Sequence, residues 1–198
     1  MKERRDTPPP EVLAPEFAVD GSTPPGNPNV LRDPRTGFYT MAALHEFIRY
    51  EIDGGAQTER NERFVSPLCA VAISIDALAS LPDDLARGRL IELTGDSIRR
   101  ITRRSDRLAR HGNDFVALLR RTLAKRAREN YAPHVTGQVV EITREAGCFT
   151  TLSFGIASLT EHLVRDPDDM VRKAFAALDH ARKAGPGSVR MYDLREMS

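Results

Sequence analysis

Apolar residues recur along this chain in two rhythms. From Tyr39 to Ile52 they fall at Met41, Leu44, Phe47, Ile48 and Ile52, the spacing of one helix face, and Gly54-Gly55 ends the run. Leu68 to Ile75 (LCAVAISI) is a short, continuous apolar run with β-branched residues, as expected of a central strand buried on both faces. A second helix is expected over Pro82 to Thr102, with Leu85, Leu90, Leu93 and Ile98 facing inward. Arg107 to His111 and Phe115 to Leu119 flank the polar pair Gly112-Asn113, which suits the positive φ of a tight turn, so a β-hairpin follows. Thr150 to Leu159 reads as another strand. Asp166-Pro167 supplies an N-cap and a first-turn proline for a helix through Met170, Val171, Ala174, Leu178 and Ala181. Gly185 ends that helix, and Ser188 to Tyr192 is a final strand. The pattern is weakest from Arg121 to Glu145, where Pro133 is expected to open a helix through Val135, Val139 and Ile142. The order is helix, strand, helix, hairpin, helix, strand, helix, strand: a mixed α/β sheet with helices packed on it.

Composition changes the picture at the N-terminus. Seven of the 13 prolines lie within the first 28 residues, among Gly, Ser, Thr and charge. Proline removes amide donors, and the few apolar residues there (Leu13, Phe17, Val19) do not offset an ordering cost of about 1–2 kcal/mol per residue, so residues 1–31 are expected to be a disordered tail and 32–198 one domain. No run approaches the length of a membrane span, and no apolar segment of a secretory signal follows Met1, so a cytoplasmic protein without membrane attachment is expected. Cys69 and Cys148 form no CxxC or Cys/His cluster and are expected to be reduced core thiols.

Charge carries more information locally than globally. The chain has 29 Lys plus Arg and 28 Asp plus Glu, a net +1, yet from Arg99 to Arg128 eleven basic residues stand against Asp106 and Asp114, a local excess of +9. Such a segment attracts phosphate, whether of a nucleotide, a nucleic acid or an acidic partner, and it is equally a solvated basic surface. Nucleic acid is the weaker reading, because Tyr131 is the segment's only candidate stacking platform apart from strand residues. His45, His111, His134, His162 and His180 form no metal-ligand spacing or nucleophile–base pair.

Several short motifs, in order, resemble the GGDEF domains of bacterial diguanylate cyclases, which condense two GTP into cyclic di-GMP. Asp33-Pro34-Arg35-Thr36-Gly37 is similar to the family's DxLTG, Ile73-Ser74-Ile75-Asp76 to its DID, and Arg103-Arg104-Ser105-Asp106 to its RxxD. Ala109 to Phe115 (ARHGNDF) stands where ARYGGDEF would stand. Leu152 to Ala157 and Ala177 to Gly185 resemble the closing SxGxA and ALYxAKxxG. The resemblance implies a nucleotide-cyclase-like (ferredoxin-like) central mixed β-sheet surrounded by α-helices, with a β-hairpin carrying a degenerate GGDEF turn.

It also implies where the chemistry would sit. Condensing GTP needs Mg²⁺ on hard carboxylate oxygens. In the family these come from the first Asp of DID and the third residue of the GGDEF turn. Here the first position is Ser74, and the turn is one residue shorter, leaving Gly112, Asn113 and Asp114 as vestiges of the catalytic loop. Asp76 and Asp114 are the substitute metal ligands if any cyclase activity remains; Mg²⁺ is expected only in that case. The guanine-binding stretch corresponds to the shorter Leu78 to Gly88, without the family's Asn and Asp in register. The phosphate-binding lysine position is Arg182, and the arginine of the GRN end is Pro186.

The RxxD element matches at both fixed positions. In the family this surface binds cyclic di-GMP, so Arg103 and Asp106, with Arg104 or Arg107 assisting, are the expected ligand residues; an exposed i,i+3 ion pair at a helix end accounts for the same pattern. Three functions stay open: a catalytically impaired signalling module that binds cyclic di-GMP and relays this to a protein partner, a residual cyclase acting on GTP, and a ligand-free interaction scaffold. A homodimer is compatible with each.

Overall fold

The computed structural model describes residues 31–55 and 66–193. The Pro-rich tail expected at 1–31 therefore lies outside the described residues, except for Leu31. Six strands form one mixed sheet in the order β1-β3-β4-β2-β5-β6. The strands are β1 (Tyr39–Thr40), β2 (Leu68–Ile75), β3 (Arg107–His111), β4 (Asp114–Arg120), β5 (Leu152–Ser158) and β6 (Val189–Met191). The main helices are α1 (Met41–Gly55), α2 (Asp84–Ile101), α4 (Ala132–Glu145) and α5 (Pro167–Ala184); a single turn, α3 (Ala124–Arg126), leads into α4. β2 lies centrally, antiparallel to both β4 and β5, while the edge strands pair in parallel, β1 with β3 and β6 with β5.

The LCAVAISI run is buried at every position because the sheet is covered on both faces. Cys69, Val71, Ile73 and Ile75 of β2 join Phe115 and Leu119 of β4 in a core completed by Leu90 and Ile98 of α2 and Val135 and Val139 of α4. The alternate residues Leu68, Ala70 and Ala72 join Val116 and Leu118 beneath Leu44 and Ile48 of α1 and Met170 and Leu178 of α5. Period-two alternation thus divides one apolar run between two cores. Gly155 sets how closely α5 crosses the sheet. A Cβ there would lie 2.1 Å from the Leu178 backbone nitrogen and 2.2 Å from the Ala174 carbonyl oxygen.

Caps and turns follow local chemistry. Asp83 accepts from the Ala86 N–H to start α2, and Asp166 accepts from the Asp169 N–H, with Pro167 in the first turn, to start α5. Gly112, at φ +60°, supplies the left-handed residue of a two-residue hairpin loop closed by the His111–Asp114 pair.

Several expectations are corrected. Helix α1 begins after a two-residue strand, because Tyr39 and Thr40 pair with Ala109 and Arg110. Leu85, in the first turn of an α2 that starts only at Asp84, is 84% exposed, and Leu93 is only partly buried. Pro133 lies in the first turn of α4, as expected, but the chain is already helical before it. A π-helical turn, Ala127–Tyr131, precedes α4, with the Ala132 N–H donating to the Ala127 carbonyl. The wider turn directly precedes Pro133, whose ring clashes with the carbonyl four residues back in a regular α-helix. Cys69 is a core thiol, pushed up to about 12 by burial, whereas Cys148 is only partly buried.

Candidate functional site

Two separate regions, at opposite ends of strand β4, gather the candidate residues. The first is an open cleft of about 840 Å³ at the hairpin end of the sheet, lined by Ser74, Asp76, Arg87, Asn113, Asp114 and Arg182 among others. The β2–β4 register ends at Ile73 opposite Phe115, so Ser74 and Asp114 come next on adjacent strands, on the face covered by α5. Arg182, in the last turn of α5, reaches both. Its Nη2 donates to Asp114 Oδ1 and Oδ2 at 2.7 Å each and to Ser74 Oγ at 2.9 Å, and its Nη1 donates to Asp179 at 3.2 Å. Burial alone would lower the Arg182 pKa, but the hydrogen bonds and charge of Asp114, then of Asp179, outweigh it and raise the pKa above the ordinary arginine value.

Asp76 is engaged in a different way. Its Oδ1 accepts from Ser153 Oγ at 2.6 Å, and its Oδ2 accepts from Thr151 Oγ1 at 2.6 Å and from the Gly187 N–H at 2.8 Å. These bonds tie the end of β2 to β5 and to the turn after α5. Asn113 and Gly112 stand exposed at the hairpin tip.

This donor set does not fit Mg²⁺. The ion wants several hard, anionic oxygens in octahedral array. Among the described residues no three His, Cys, Asp or Glu side chains cluster to hold a metal, Ser74 is uncharged, Asp76 accepts from protein donors on both of its oxygens, and Asp114 is already neutralised by Arg182.

The second region is a concavity of about 200 Å³ lined by Ile101, Arg103, Asp106, Leu119, Thr122, Arg126, Asn130, Tyr131 and His134. Arg103 is exposed. Asp106 Oδ1 accepts the Arg120 backbone N–H at 3.0 Å, so the carboxylate is braced against β4. Among the described residues no salt bridge joins Arg103 to Asp106, which corrects the reading of the pair as an i,i+3 helical ion pair: α2 has ended at Ile101, and the two residues form a turn in which the Asp106 N–H meets the Arg103 carbonyl. Burial raises the Asp106 pKa, and the Arg120 N–H and the Arg103 charge pull it back without cancelling that effect.

Arg104 is exposed and outside this concavity. Arg107 donates to the carbonyls of Arg104 and Ser105 and lies over the Phe47 ring of α1, 5.1 Å from its centroid. It therefore braces the turn from the α1 side. Arg126, Asn130 and His134 enter the concavity from the α3–α4 segment, and sequence reasoning missed them. The one available signal was the basic run itself, since a π-turn gives no hydrophobic period to place them. Tyr131, partly buried, hydrogen-bonds Thr102 at 2.9 Å and joins this segment to the end of α2.

The opening turn is fastened to the hairpin. Arg110 Nη1 donates to both carboxylate oxygens of Asp33, at 3.0 and 3.1 Å. Burial would raise the Asp33 pKa, but Thr36 and Arg110 hold it below the ordinary carboxylate value.

The sheet order and hairpin define a cyclase-like mixed α/β domain, and comparison with known proteins agrees. The family model for "Diguanylate cyclase, GGDEF domain" matches residues 30–188. The chain belongs to the GGDEF family. Similar solved structures include the GGDEF domain of DgcB from Caulobacter crescentus in complex with c-di-GMP, at 17% identity and TM-score 0.63, covering 82% of this chain and 93% of that one. The GGDEF domain of TpbB (YfiN) from Pseudomonas aeruginosa is 22% identical, with TM-score 0.67 over 83% of this chain and 96% of that one. Diguanylate cyclase SiaD of Pseudomonas aeruginosa, solved in complex with its activator SiaC, is 21% identical, with TM-score 0.64 over 81% of this chain and 61% of that one. No curated protein matches in sequence. Among the described residues, no helix is long and apolar enough to cross a membrane.

Proposed function

We propose that this chain is a cytoplasmic GGDEF-family signalling module that binds cyclic di-GMP at the Arg103–Asp106 turn and passes that state to a protein partner, without condensing GTP. The observation that carries this reading is the concavity in which an exposed Arg103, the braced Asp106 and Arg126, Asn130 and His134 converge. Asp106 Oδ2 has no hydrogen-bond partner among the described residues, so it is available to a guanine N–H while Oδ1 stays on Arg120. The Arg103 guanidinium offers its fork to a guanine edge or a phosphate, the bidentate geometry that suits this side chain. A volume near 200 Å³ suits one base edge, leaving the rest of the dinucleotide over the basic surface.

The non-catalytic half rests on the two cleft carboxylates, both committed to protein donors. Association with a partner follows the pattern of SiaD, whose structure includes its activator. A calorimetric titration of the full chain with cyclic di-GMP tests the reading. Binding is expected, weakened at least about tenfold by Arg103→Ala, equivalent to about 1.4 kcal/mol. Absence of binding heat, or equal affinity in the variant, would remove the proposal.

A further inference from the structure

The Arg182 guanidinium lies between the two side chains where a divalent cation would have to bind. Its Nη2 is equidistant, at 2.7 Å, from both oxygens of Asp114, and 2.9 Å from Ser74 Oγ; its Nε is 3.3 Å from the same hydroxyl. Asp114 is mostly buried, its side chain 17% exposed, so an uncompensated carboxylate there would be costly. A single positive charge held by a helix balances it. Arg182 sits in the last turn of α5, where the helix dipole favours a cation, and Asp179 one turn back accepts its Nη1.

We infer that Arg182 is a tethered cation that takes the place of a divalent metal between Ser74 and Asp114, pins the hairpin tip to α5, and leaves the cleft indifferent to Mg²⁺ and Mn²⁺. A divalent ion entering this cleft would have to displace a guanidinium that makes contacts on all three nitrogens, and would gain one carboxylate and one neutral hydroxyl. Two changes remove that barrier. Ser74→Asp restores a second anionic oxygen donor on the neighbouring strand, and Arg182→Ala vacates the space between the carboxylates.

The inference deepens the non-catalytic half of the proposed function but does not depend on ligand binding at Arg103. Mn²⁺ itself is the probe, read by loss of its free-ion paramagnetic resonance signal and by the melting temperature of the full chain. The wild type is expected to leave millimolar Mn²⁺ free and to melt at the same temperature with or without it. The Ser74→Asp/Arg182→Ala variant is expected to bind Mn²⁺ and to melt higher in its presence, and Asp114→Asn added to it abolishes both effects. Mn²⁺ binding by the wild type that Asp114→Asn removes would overturn the inference, as would a cooperatively folded double variant that takes up no Mn²⁺. Should that variant not fold, the wild-type measurement alone decides. Either failure leaves the dinucleotide reading standing, and loss of dinucleotide binding leaves this inference standing.

Discussion

The carboxylate of Asp106 accepts the backbone N–H of Arg120 at 3.0 Å, so the turn that carries Arg103 is fixed to the far end of β4 rather than projecting freely from α2. The two residues of the RxxD element therefore have different duties. Asp106 holds the loop through one oxygen and presents the other, while Arg103 is exposed.

This division predicts different costs on substitution. Asp106→Ala leaves a partly buried N–H without its partner and is expected to lower stability by about 1–2 kcal/mol, with Asp106→Asn losing less because an acceptor oxygen remains. Arg103→Ala is expected to stay within about 0.5 kcal/mol of the wild type. Urea unfolding of the three variants checks both statements, and a large loss in Arg103→Ala would show that its side chain supports the fold.

Gly155→Ala is expected to be among the most damaging single-methyl changes in the chain. The added carbon meets backbone atoms of Leu178 and Ala174 rather than flexible side-chain ends, so α5 must move off the sheet. A loss of about 3 kcal/mol or more in urea unfolding is the expected outcome. A variant as stable as the wild type would contradict the observed crossing of α5 over β5.

His162 predicts a pH dependence. Its Nδ1 accepts the Ser158 N–H at 2.9 Å, and burial, partly opposed by the charge of Glu161, lowers its pKa below the ordinary 6.5. A base with a lowered folded-state pKa contributes stability that is present above its unfolded pKa and is lost as pH falls through the folded value. Stability should thus decline from about pH 6.5 downward. The carboxylates of Asp33 and Asp169, also lowered in the fold, add their losses only in the more acidic range near and below 3.8. Unfolding curves across this range should show a smaller decline between neutral pH and pH 5 in His162→Gln; an identical decline would exclude His162 as its source.

Much of the scaffold was legible in the sequence because its signals are local. The LCAVAISI run, the Gly112-Asn113 turn and the Asp166-Pro167 cap each depend on residues within a few positions of one another. Strand β1 was not legible, since two residues become a strand only when β3 lies beside them. The π-turn before Pro133 was hidden for a different reason: a five-residue repeat from Ala127 to Ala132 breaks the helical period used to find helices. In the cleft, spacing marked Ser74, Asp76, Asp114 and Arg182 separately. That Arg182 would bridge Asp114 and Ser74 follows from the crossing of α5 over the sheet, which joins residues 68 and 108 positions apart. The same folding commits Asp76 to Ser153, Thr151 and Gly187, partners that come from two other parts of the chain.

The most direct test of the account is the melting temperature of the full chain with cyclic di-GMP and, separately, with GTP and Mg²⁺. Ligand at one hundred times its dissociation constant stabilises the folded state by about 2.7 kcal/mol. For a domain of this size that corresponds to a rise of about 5–10 °C with cyclic di-GMP. No rise is expected with GTP and Mg²⁺, and none with cyclic di-GMP after Arg103→Ala. A rise with GTP and Mg²⁺, or no rise in the wild type with either nucleotide, would contradict the account.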